Sequence, residues 1–69
     1  MAMTQANIDA ERVAILNARQ AAYEAQYVAI VANDKPGRQA AKQALGDLSD
    51  REDSLNNIQA IYSLLHPTP

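Results

Sequence analysis

Residues 4–32 contain neither glycine nor proline, and the run ends on the cluster Asn33, Asp34, Lys35, Pro36, Gly37. That arrangement constrains the fold more than anything else in the chain. A breaker-free run rich in Ala, Gln, Glu and Arg is built from strong helix formers. It predicts a helix over residues 5–33, with Thr4 or Asn7 as its N-cap and with Asp9 and Glu11 in its early turns, toward the positive end of the helix dipole. Pro36 suits the first turn of a new helix, where its missing N–H is not needed. Asp34 is chemically a better cap there than Lys35. The turn is therefore placed at residues 33–36 and a second helix at residues 36–65. His66-Pro67-Thr68-Pro69 ends it, because the residue before a proline is pushed out of the α region. Residues 1–4 and 66–69 read as tails.

Two helices of about 30 residues, each roughly 45 Å long, joined by so short a connection must run antiparallel. The expected fold is all-α, an antiparallel hairpin of two long helices forming a single domain over residues 1–69. One point stays open within it. Gly46 costs about 1 kcal/mol relative to alanine in a helix interior, and Ser49 with Glu52 matches a capping box. The second helix is thus continuous, kinked or broken near Gly46. The phase of Leu48, Leu55 and Tyr62 across the gap favours a continuous or kinked helix.

Both helices carry apolar residues at helical spacing. In the first, Val13, Leu16, Tyr23, Tyr27 and Ile30 follow a 3-4 alternation interrupted by Gln20, and Ile8, Ile15, Ala22 and Ala29 form a second row beside it. Together they make a stripe wider than a two-helix seam requires. Tyr23 and Tyr27 are expected in the hairpin seam, beside residues 44–48, with their hydroxyls at its edge. Ile8 is expected near Tyr62, and Arg19 near Asp50 and Asp53 as an inter-helix ion pair. In the second helix, Ala41, Ala44, Leu45, Leu48, Leu55, Ile58, Ile61, Tyr62 and Leu65 share the same periodicity.

Composition bears on whether such a hairpin stands alone. The chain has 69 residues and no cysteine, and its single histidine cannot build a histidine zinc cluster. Small scaffolds need a staple, and with disulfides and such metal sites set aside, association with another chain is what is left. No Phe or Trp is present, and the abundant alanine favours helix while contributing little apolar area. The hairpin is accordingly expected to be completed by association, either with itself or with a different protein.

The same composition argues against several classes of function. A net charge of −2 is not the basic surplus of a nucleic-acid binder. No stretch approaches the ~20 apolar residues of a membrane span. The first residues lack the basic and apolar regions of a secretory signal, so the expected setting is cytoplasmic or inside an intracellularly assembled particle. His66, in the last turn of helix 2, reads as a helix-end residue rather than a general base, since no nucleophile and orienting acid accompany it. Asp47, Asp50, Glu52 and Asp53 lack the spacing of a calcium loop and read as a solvated face. No catalytic residue, cofactor or metal is expected. Lys35, Arg38 and Lys42 form a small basic patch at the start of helix 2, which reads first as a solvated loop and second as a secondary contact for a phosphate or an acidic protein surface. Gly37 beside Pro36 is turn chemistry rather than a phosphate loop.

Residues 54–65 are the most informative segment for function. They include no charged side chain, yet Leu55, Ile58, Ile61, Tyr62, Leu64 and Leu65 cover more of the helix circumference than one neighbour can bury. These six are the expected protein interface. The leading functional expectation is a non-enzymatic structural or assembly protein, packing into a homo-oligomer or a larger particle such as a virion. The alternative is a small regulatory inhibitor or adaptor docking its C-terminal helix on one target. A nucleic-acid accessory factor using the basic turn is the weaker third class.

Overall fold

The computed structural model describes residues 3–67, and the tail assignments at residues 1–2 and 68–69 lie outside that range. Two α-helices, α1 (Gln5–Val31) and α2 (Lys35–Leu65), pack against each other as a hairpin. Its extents are 54 × 21 × 15 Å, so the described residues form a rod one helix thick.

Local chemistry explains the ends of both helices. The Thr4 side chain accepts a hydrogen bond from the Asn7 amide at 3.2 Å, which makes Thr4 the α1 N-cap. The first turn then holds no acidic residue. Asp9 instead accepts from Gln5 at 3.0 Å. At the other end α1 stops two residues earlier than its sequence predicts, because Asn33 takes a left-handed conformation with φ 54°. The Asn33 amide donates to Ile30 O (3.1 Å) and the Asp34 amide to Ala29 O (2.8 Å). This is a Schellman closure, with asparagine in the place glycine usually takes. The Asp34 side chain then accepts from the Gly37 amide at 3.2 Å and caps α2. One residue thus closes the first helix with its backbone and opens the second with its carboxylate.

Gly37 has a packing reason to be glycine. A Cβ placed there would lie 2.9 Å from Asp34 Cγ and 3.2 Å from Ala29 Cβ, and nearer still to the cap carboxylate Oδ2. Gly46 is different. It sits in an unbroken α2, with nothing within 4 Å of where its Cβ would be. The possible break is absent because the apolar phase holds on both sides of Gly46, and packing along Ala41, Leu48 and Leu55 outweighs one weak helix former.

Of the two apolar rows of α1, only the second lines the seam. Ile8, Ile15, Ala22 and Ala29 of α1 meet Ala41, Leu48 and Leu55 of α2, and all seven are buried. Ala18, Leu45, Ile58 and Tyr62 pack at the margin of the cluster formed by Ile8, Ile15, Ala22, Leu48 and Leu55. Val13, Leu16, Tyr23, Tyr27 and Ile30 are exposed, Tyr27 to 70%. So the placement of Tyr23 and Tyr27 in the seam is corrected. The turn explains why. So short a connection brings the helix backbones close together, and near it only alanine fits between them. Two tyrosines at that level would hold the helices apart.

Along one flank of the seam a polar ladder joins the helices. Gln5 and Gln59 exchange amide hydrogen bonds of 2.8 and 3.0 Å. Arg12 donates to Asn56 at 3.2 Å, and Arg19 pairs with Glu52 at 2.6 Å. The expected partners of Arg19, Asp50 and Asp53, are exposed, whereas Glu52 lies beside the seam in the same heptad row as Leu45 and Gln59. On the opposite flank Arg51 pairs with Glu11. Beyond that pair, toward the turn, this flank is lined by Ala21, Ala25, Val28, Ala32, Ala40 and Ala44.

Candidate protein-interaction surface

Helix α2 is amphipathic along the row Ala41, Leu48, Leu55, and each of the six predicted interface residues falls on or off that row by its heptad position. Leu55 is on the row and only 2% exposed, so it belongs to the hairpin's own core. Ile58 and Tyr62 are half-buried against the same core. Ile61, Leu64 and Leu65 are exposed, Leu64 to 81%, although Leu65 continues the heptad row of Ile58. The predicted set therefore divides, with Leu55, Ile58 and Tyr62 facing inward and Ile61, Leu64 and Leu65 presented to the outside. The Tyr62 ring lies 4.4 Å (centroid to centroid) from the His66 ring, and the His66 amide donates to Tyr62 O. His66 thus ends the helix and stacks on it.

The basic patch is assembled at the turn. Lys35, Arg38 and Lys42 line a shallow depression with Gln26, Ile30, Gln39 and Gln43, so cations share a rim with amides and one aliphatic side chain. Arg38 is half-buried, and the two lysines are exposed. A second depression lies at the open end, on the Glu11–Arg51 flank, and includes Met3, Asn7, Ser54 and Ile58. Neither depression brings a nucleophile, a base and an orienting acid together. Among the described residues no group of three or more His, Asp or Glu side chains is placed to hold a metal ion. No helix there is long and apolar enough to cross a membrane.

A further apolar surface lies outside the six residues expected to form the interface. Val13, Leu16, Tyr23, Tyr27 and Ile30, with Gln20 between Leu16 and Tyr23, form an exposed stripe along α1, and each of the five is more than half exposed. Their 3-4 spacing is the usual signature of a buried helical seam. That signal was visible in the sequence, but it was spent on the hairpin itself. Comparisons with protein-family models, curated proteins and solved structures find no match for this chain.

Proposed function

We propose that the chain is a non-enzymatic assembly module, a helical hairpin that packs against other protein chains in an oligomer or larger particle. One observation carries this reading. Among the described residues eleven large hydrophobic side chains are exposed, while the only large ones buried are Ile8, Ile15, Leu48 and Leu55. Single exposed apolar residues are ordinary on a protein surface. A contiguous stripe at seam spacing is not, and such patches mark contact sites. The weak internal core supports the same conclusion, since three of the seven buried residues are alanine.

A second reading has its own support in the exposed, charge-free end formed by Ile61, Leu64 and Leu65. It is the profile of a helix that docks in a groove on one target, and it keeps the adaptor alternative alongside the structural one.

Thermal unfolding of the dilute purified chain tests the module reading. We expect a broad, low-temperature transition at nanomolar to low micromolar concentration, sharpening as a partner or more of the chain is added. A cooperative, stable monomer whose transition is independent of concentration would overturn the claim that the hairpin needs company.

A further inference from the structure

The exposed stripe of α1 has an internal symmetry that names its occupant. Its positions are 13, 16, 20, 23, 27 and 30, an unbroken alternation of three and four residues. Read forward the side chains are Val, Leu, Gln, Tyr, Tyr, Ile. Set against a second copy running the other way, Val13 meets Ile30, Leu16 meets Tyr27, and Gln20 meets Tyr23. Each pair then occurs twice about a two-fold axis between residues 21 and 22. A two-fold interface requires that residue i meets j and j meets i. Here each such pairing is chemically sound. Two layers are wholly apolar except for a phenol hydroxyl at the seam edge. The one polar position, Gln20, faces a tyrosine hydroxyl that can exchange a hydrogen bond with its amide.

The flanks agree. On one side of the seam Arg19 lies opposite Gln26 of the second copy, and on the other Glu24 lies opposite Asn17. No like charges face each other, which is the arrangement that tolerates antiparallel pairing. Charge placement also says which helix belongs inside. Between residues 20 and 32 α1 carries a single charged side chain, Glu24, whereas the outward side of α2 carries Asp47, Asp50 and Asp53. A helix apolar on several faces is a buried helix.

We infer that two copies of this chain pair antiparallel through the α1 stripe, placing the two α1 helices at the centre and the two α2 helices outside. This rests on the reading of the chain as an assembly module and names the partner. Whole-side-chain areas of about 150–250 Å² for aromatics, and less for aliphatics, put the exposed apolar area of the stripe on the order of 500 Å² per copy. Gln20 and the flanking residues bring the pair close to the ~1,200 Å² at which specific interfaces begin. Interfaces at that lower limit belong to the weak, transient class, so a reversible dimer that dissociates on the order of micromolar or above is expected.

Sedimentation equilibrium of the full chain across that concentration range tests the inference. The expected result is a monomer–dimer equilibrium based on the 7.5 kDa chain. Tyr27→Glu should weaken it by on the order of 30-fold or more with helicity unchanged, whereas Leu64→Glu leaves it intact. A wild-type chain that stays monomeric at several hundred micromolar overturns self-pairing while leaving a different protein partner open. A dimer that survives Tyr27→Glu, or is lost with Leu64→Glu instead, overturns the choice of surface. Orientation is read with the seam itself unaltered, from spin labels at the exposed positions Ala10 and Glu24. In the antiparallel pair the Ala10 labels sit farther apart than the Glu24 labels by roughly 25 Å along the axis. Equal separations at the two sites would mean parallel pairing and would refute the proposed axis.

Discussion

The two glycines of α2 should respond in opposite directions to the same substitution. Gly46→Ala adds a methyl group into open space on an exposed helix interior. The gain is the helix propensity difference plus the reduced freedom of the unfolded chain, together about 0.5–1 kcal/mol. Gly37→Ala adds the same methyl against the Asp34 carboxylate and Ala29 Cβ, the latter at 3.2 Å. Relief requires moving the carboxylate, which costs the cap about 1 kcal/mol, and also easing Ala29 away, which opens the alanine half of the seam at a cost of about 1 kcal/mol more. Even after the propensity gain, a net loss of about 1 kcal/mol is expected. For a domain of this size 1 kcal/mol is roughly 4–8 °C in Tm, so the two variants should differ by about 6–16 °C. Far-ultraviolet circular dichroism during heating measures this, at one fixed protein concentration because association raises Tm. If Gly37→Ala stabilises as much as Gly46→Ala, the tight packing inferred at the turn is wrong.

Three further outcomes follow from the same geometry. Asn33→Gly should keep or raise stability by a few tenths of a kcal/mol, and Asn33→Ala should lower it by about 1 kcal/mol, since only the alanine resists the left-handed backbone; urea titrations of the two variants would show this order. Ile15→Ala removes one of the two most deeply buried large side chains, at about 2–5 kcal/mol; that is a large share of the roughly 3–10 kcal/mol available to such a chain, and loss of the cooperative transition is the expected reading. Arg19→Ala and Glu52→Ala, singly and together, should give a coupling energy below about 1 kcal/mol in a double-mutant cycle, because both side chains are partly exposed; a coupling well above that would make the ladder a source of stability rather than of register.

The turn was almost fully legible in the sequence, because its determinants are local. Asn33, Asp34, Pro36 and Gly37 each act within a few residues of themselves, and their chemistry does not depend on what packs elsewhere. The seam was legible only as a pair of candidates. Both α1 rows have helical spacing, and ranking them by side-chain size favours the row with Leu16, Tyr23 and Tyr27. The choice depends on how closely the two backbones approach near the turn, which favours the row with Ala22 and Ala29. The Gln5–Gln59 pair shows a third situation. Gln5, Arg12, Arg19 and Gln26 recur every seven residues beside the buried row, and that period was available to be read. Their partners were not, because Asn56, Glu52 and Gln59 are specified only once the register of α2 is known. The predicted C-terminal interface divided for the same reason, Leu55 having been needed by the hairpin itself.

The seam also changes character along its length. Near the turn it is alanine against alanine, and toward the free ends it is Ile8 and Ile15 against Leu48 and Leu55. Apolar area is therefore smallest where the chain is tethered and largest where it is untethered. Each half of the rod is held by a different kind of restraint: covalent proximity at the turn, where closing a short loop costs little entropy, and solvent exclusion at the open end. A nick between Asn33 and Asp34 would turn the fold into a bimolecular association that still has its Ile and Leu grip, so its stability would become concentration-dependent. Trimming the chain to residues 16–47, without Ile8, Ile15, Leu48 and Leu55, would leave the tether in place with little for it to hold.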